Sequence, residues 1–319
     1  AISAANGEIS PTGESVVNCG ESIAYTITPN EGYYLDSLFV DGESVSPTLT
    51  FTFTNIAENH TIRPHFDRYE FLISAIAGEG GSVSPTFANI SQGEDLTVMI
   101  VPQECYHIAS LFVDGQSVEV SDSYTFSDID ENHTLRAAFA INQYALTALP
   151  AANGQITPSG VTNINCDGSL VYNITPNEGY YLDSLFVDGE SVVPVGTYVF
   201  NNIVDNHVIR PVFSLVEYQI VSSAGEGGQI LPTIAEVAHG ASATIHIAAD
   251  ECYHLTSLVV DGQSVEVSDT YTFTNVTENH TLRATFAVDQ FTISAIASAN
   301  GSISPTGNRI VNCGESVVY

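Results

Sequence analysis

Apolar and polar residues alternate along most of this chain. Ile23, Tyr25 and Ile27 alternate with Ala24, Thr26 and Thr28, and Phe51 and Phe53 alternate with threonines. Leu135, Ala137 and Phe139 alternate with Thr134, Arg136 and Ala138. A period of two puts every second side chain on one face, so these runs predict half-buried antiparallel strands, and their Thr and aromatic content agrees. No segment sustains a helical period. The predicted class is all-β, with six or seven short strands per unit forming a small sandwich or partly open barrel. Asp-Gly closes four runs, at Asp41-Gly42, Asp114-Gly115, Asp188-Gly189 and Asp261-Gly262. It predicts tight hairpins, because both central positions of a type I′ turn take positive φ.

These markers keep a beat. The Val-Asp-Gly tripeptides are 73, 74 and 73 residues apart. An Asn-His turn follows each one, at Asn59, Asn132, Asn206 and Asn279, and each unit closes on Phe66, Phe139, Phe213 or Phe286. A longer period of 147 separates Cys19, Cys166 and Cys313, and also Cys105 and Cys252. The segment 28–45 recurs letter for letter at 175–192. The chain therefore reads as a tandem array: units 1–68, 69–142, 143–216 and 217–289, and the start of a fifth at 290–319. Odd units carry Asn-Cys before their third predicted strand; even units carry Glu-Cys-Tyr-His after it. Junctions such as Asp67-Arg68-Tyr69-Glu70 hold no Gly/Ser or Pro-rich linker, so a stiff rod is expected. Ala1 and Tyr319 fall inside predicted strands, so the chain is expected to continue in both directions, or its end strands to complete a neighbouring subunit.

The 319 residues include 37 acidic and 6 basic ones, all six arginine, for a formal charge of −31. Nucleic acid is excluded as a partner, because binding it requires cations against phosphate. An anionic membrane surface would repel the chain, and no apolar run approaches the ~20 residues that span a bilayer. The absence of lysine rules out Lys–Asn isopeptide crosslinks, which leaves disulfides as the evident covalent reinforcement.

Periodic cysteines in an exported protein predict disulfides. A strand separates the two cysteine types, so they lie at opposite ends of their units and meet across a junction. If the first hairpin returns to the N-terminal end, the pairs are Cys105–Cys166 and Cys252–Cys313, with Cys19 joined to an upstream unit. The other junction would give Cys19–Cys105 and Cys166–Cys252, leaving Cys313 over. Bonds between separate chains are the third arrangement.

Other chemistry is weaker. Glu104-Cys105-Tyr106-His107 and Glu251-Cys252-Tyr253-His254 offer zinc-type ligands, but strand geometry points them different ways and a disulfide consumes the sulfur. His60, His133, His207 and His280 read as turn residues bonded to local backbone. The Asp-Gly aspartates lack the alternating ligands of a calcium loop. Glycan acceptor triplets occur at Asn59, Asn89, Asn132, Asn173, Asn275, Asn279 and Asn300; Asn59, Asn132 and Asn279 belong to the recurrent turn. No catalytic triad, metal or cofactor site is expected, and the chain is not read as an enzyme.

The succession GxISPTG, TPNEGY, LFVDGESV, TYTFTNV and ENHTLRATF resembles the divergent B-repeats related to internalin, found in bacterial surface proteins. The resemblance covers nearly the whole chain and implies extracellular spacers or adhesin stalks in long tandem runs, with no catalytic residues. The expected function is a structural segment of an extracellular or cell-surface protein: a disulfide-reinforced rod, stalk or filament. Its partners would be copies of itself or further repeats of one long chain. Two alternatives remain open. One is a multivalent adhesin holding glycan or matrix through exposed Tyr33, Tyr34, Tyr106, Tyr180, Tyr181 or Tyr253. The other is a filament assembled by strand donation between subunits.

Overall fold

The computed structural model describes all residues from Ala1 to Tyr319. Every element is a strand or a turn. The chain divides into two compact units, Ala1–Gln143 with Asn165–Asp167, and Tyr144–Ile164 with Gly168–Tyr319.

In the first unit, repeat one contributes β1 (Gly7–Ser10), β2 (Ile23–Pro29), β3 (Tyr33–Val40), β4 (Glu43–Val45), β5 (Thr50–Phe53) and β6 (Ile62–Arg68). Repeat two contributes β7 (Glu70–Ala77), β8 (Gly81–Ser84), β9 (Phe87–Ser91), β10 (Leu96–Pro102), β11 (Tyr106–Val113), β12 (Gln116–Val118), β13 (Ser123–Phe126) and β14 (His133–Ile141). Its eight strands form a five-stranded sheet, β12-β11-β14-β7-β9, and a three-stranded sheet, β13-β10-β8. Alternate residues of both sheets, among them Ile73, Val98, Ile100, Leu111 and Leu135, meet in one core. The module is thus a two-layer sandwich and not a closed barrel. Repeat one shows the same plan in two three-stranded sheets, β1-β2-β5 and β4-β3-β6, around Tyr25, Ile27, Leu38 and Ile62. The second unit repeats the eight-stranded plan twice and ends in a hairpin of Gln290–Ala295 with Gly307–Asn312.

Two features depart from the sequence reading. Repeat one has six strands, within the expected six or seven, but repeats two to four have eight, because edge strands such as β9 and the three-residue β12 have mixed sequences that show no long alternation. The pairing is also not purely antiparallel. In repeats two to four the last strand runs parallel to the first, with β14 beside β7 through Leu135 and Ala75. A parallel pair needs a long crossover, and the intervening strands supply it.

The closing phenylalanine has a defined seat. Phe66, Phe139, Phe213 and Phe286 lay their rings over Gly7, Gly81, Gly154 and Gly228, where a Cβ would strike the ring. Glycine here is required by close approach rather than by φ.

Candidate functional site: turn locks and repeat junctions

The Asp-Gly hairpins bring together residues about twenty apart. Asp41 (φ 53°) and Gly42 (φ 85°) both take positive φ, as the turn requires. One carboxylate oxygen of Asp41 accepts from His60 Nδ1 at 2.7 Å, and the other accepts from the Thr61 N–H at 2.6 Å. A carboxylate only accepts, so Nδ1 carries the proton. The lock recurs as Asp114 with His133, Asp188 with His207, and Asp261 with His280, at 2.7, 2.7 and 2.6 Å. The imidazole also lies against Phe53, Phe126, Phe200 or Phe273, with centroids 4.8–4.9 Å apart. These histidines therefore bind a carboxylate in a neighbouring hairpin and not local backbone, which corrects the sequence reading. That separation carries no sequence signal beyond the repetition of the His itself.

The His60 ring and then the Thr61 N–H hold the Asp41 carboxyl below the usual carboxylate range. At Asp188 partial burial opposes that direction, and the His207 ring and the Val208 N–H outweigh it.

The turn asparagine has a task of its own. Asn132 Oδ1 accepts from the Leu72 N–H at 2.7 Å, and Asn279 Oδ1 accepts from the Gln219 N–H at 2.9 Å. Asn206 does the same for Ala145 at 2.7 Å, so this side chain anchors the start of the parallel pair. Asn59, Asn132 and Asn279 are all exposed.

One clamp appears at every junction between repeats. A single linking residue donates its N–H to a carbonyl of the repeat before it and accepts from an N–H of the repeat after it. Tyr69 is held in this way between Gly32 and Gln92, at 3.1 and 2.8 Å. Val216 is held between Gly179 and His239, at 2.8 Å on both sides. Asn142 is held between Cys105 and Cys166, and Asp289 between Cys252 and Cys313, at 2.8–2.9 Å. At these last two junctions the flanking side chains are joined by disulfides, with Cα–Cα distances of 5.4 Å for Cys105–Cys166 and 5.5 Å for Cys252–Cys313. Cys19 is free and exposed.

The Glu-Cys-Tyr-His segment is divided among three tasks. The cysteine is bonded. His107 turns to Asn142 at 2.8 Å and His254 to Asp289 at 2.7 Å. Tyr106 and Tyr253 cover Gly80 and Gly227. Tyr33 and Tyr180 are half-buried, whereas Tyr34 and Tyr181 are exposed. Tyr34 stands 5.2 Å from Tyr69, centroid to centroid, beside an open cleft of about 690 Å³ that Asn6, Asp67, Arg68 and Glu70 also line. Arg68 donates to the Tyr33 hydroxyl and pairs with Glu94, both at 3.0 Å, and so crosses this junction.

The family model described as "Divergent InlB B-repeat domain" matches residues 1–70, 71–143 and 218–290. No curated protein matches the chain. Among solved structures, the Bacillus anthracis TIE protein is similar at 10% identity and a TM-score of 0.33, covering 89% of this chain and 76% of that one. The pilus adhesin SpaC from Lactobacillus rhamnosus GG, in its open conformation, is similar at 11% identity and a TM-score of 0.20, covering 88% of this chain and 54% of that one. Both likenesses are too distant to carry a functional conclusion.

Proposed function

The chain belongs to the divergent InlB B-repeat family, and we propose that it serves as a structural segment of an extracellular or cell-surface protein, a disulfide-reinforced rod, stalk or filament. The observation that supports this most is the clamp repeated at all four junctions, with a disulfide added at alternate ones. A linking residue bonded on both sides leaves few free dihedrals between modules. Disulfides also fit an oxidising, extracytoplasmic location. In the chain-entropy model a crosslink spanning 61 residues removes about 4 kcal/mol of denatured-state entropy. The free Cys19 occupies the position of Cys166 and Cys313, and in this reading it pairs with an even-type cysteine of another repeat. Negative-stain electron microscopy of the chain tests the proposal. Straight particles of uniform length are expected, bending more once reduced. Freely jointed particles under oxidising conditions would overturn it.

The exposed Tyr34–Tyr69 pair supports a second reading, a multivalent adhesin. Each site would bind a glycan weakly and gain avidity from copy number. Asn142, Val216 and Asp289 stand in the place of Tyr69 at the other three junctions, so this pair occurs once in the chain and the avidity would come from further copies of the chain or its repeats. Glycan-array binding that disappears in Tyr69→Val would favour this reading; no binding by the parent chain would exclude it.

A further inference from the structure

The first and third repeats share one strand letter for letter: β3 and its counterpart Tyr180–Val187 both read YYLDSLFV. Their pairing partners differ. β6 reads Ile-Arg-Pro-His-Phe-Asp-Arg, and the matching stretch from Ile209 reads Ile-Arg-Pro-Val-Phe-Ser-Leu. The buried positions Ile62, Pro64 and Phe66 are kept. The changes include two neighbouring exposed positions on one face, where His65 and Asp67 become Val212 and Ser214.

These two positions lie beside a β-bulge. The register of β3 against β6 slips between Leu35 and Ser37, so Asp36 opposes no residue of its own. A bulge re-aims the side chain it carries. Here the result is convergence: a carboxylate oxygen of Asp36, a ring nitrogen of His65 and a carboxylate oxygen of Asp67 all lie within 4.8 Å of one another, at the exposed surface. In the third repeat the corresponding Asp183 is occupied otherwise, accepting from Ser184 Oγ at 2.7 Å, and Val212 and Ser214 supply neither imidazole nor carboxylate.

We propose that Asp36, His65 and Asp67 form a binding site for a divalent transition-metal cation of the zinc type. One imidazole and two carboxylates make a ligand set of borderline hardness, which favours zinc over calcium or magnesium, whose sites are built of oxygen. Three protein ligands leave a coordination position for water or for a group carried by a partner. The surrounding charge favours any cation, so the set must be distinguished from general attraction to an acidic surface. The third repeat provides that control within the same chain.

The test is a zinc titration of the whole chain against a chromophoric chelator, in a Cys19→Ser background so that the free thiol does not bind the metal. The expected result is one tightest site per chain, weakened at least tenfold in His65→Val/Asp67→Ser and not displaced by an equal concentration of calcium. The double variant installs residues that the same fold already holds in the third repeat, and an unchanged thermal unfolding curve without zinc verifies that it is folded. Equal zinc affinity and stoichiometry in parent and variant would overturn the proposal, as would the absence of a saturable site in the parent.

Discussion

Gly32 faces Gln92 across the first junction as Cys105 faces Cys166 across the second. In both cases the linking residue between them is hydrogen-bonded to one backbone on each side. A Cβ added to Gly32 would lie 3.8 Å from Gln92 Oε1, and the positive φ of Gly32 (80°) is close to that of Cys105 (68°). The junctions therefore share one geometry, and the disulfide is an addition to it.

Gly32→Cys/Gln92→Cys should thus close a disulfide that the natural chain lacks. Intact mass under oxidising conditions, two daltons below the reduced form, would show it. The bond encloses a loop of about 60 residues, so a stabilisation of roughly 2–4 kcal/mol of the first two repeats should follow. Three titratable thiols in the folded variant, those of Cys19 and the two introduced cysteines, in place of that of Cys19 alone, would mean that the shared backbone clamp does not bring the side chains together.

The His–Asp locks predict an acid dependence. The Asp188 carboxyl is held below its ordinary value, so its contribution to stability is present above about pH 4, the unfolded value. That contribution is lost as pH falls through the lower folded value. Asp188→Asn should cost about 1 kcal/mol or less at neutral pH, because the carboxylate is half-exposed. Thermal unfolding of the two proteins should differ at pH 7 and converge below the carboxylate range. A constant difference down to pH 2 would remove the carboxylate charge from the account.

The seat of Phe213 should not tolerate a methyl group. Gly154→Ala places its Cβ against the ring, and displacing a well-packed aromatic typically costs 1–3 kcal/mol. Chemical denaturation measures the loss. At Gly189, where nothing lies near the added atom, alanine meets only the backbone strain of positive φ, so the Phe213 environment should stay unchanged by NMR. An unperturbed Phe213 signal in Gly154→Ala would contradict the close approach.

Asn132→Ala removes the acceptor for the Leu72 N–H and should loosen the start of the β7–β14 pair by about 1 kcal/mol. Hydrogen exchange at Leu72 should accelerate while exchange at Leu111, in the core, stays slow. Uniform acceleration would place the side chain in global stability instead.

Much of this fold was legible because alternation survives wherever a strand has one wet face. The runs from Ile23 and Leu135 show it plainly, and the period of the Val-Asp-Gly turns delimits the repeats. The direction of a strand's partner is not written in its own alternation, so the parallel pair of β7 and β14 stayed hidden, as did β9 and β12, which are too short and mixed to declare themselves. The Asp–His locks were visible as two separate turn markers. Only folding brings Asp41 to His60. The convergence of Asp36, His65 and Asp67 depends on a one-residue bulge, which leaves no signature in the letters YYLDSLFV.

The most direct test of the reinforced-rod account is single-molecule pulling of the chain from end to end, oxidised and reduced. Each disulfide spans a sequence separation of 61, which hides roughly 200 Å of extended contour. The account predicts that the fully unfolded oxidised chain is shorter than the reduced chain by roughly 400 Å. Equal lengths in the two states would contradict it.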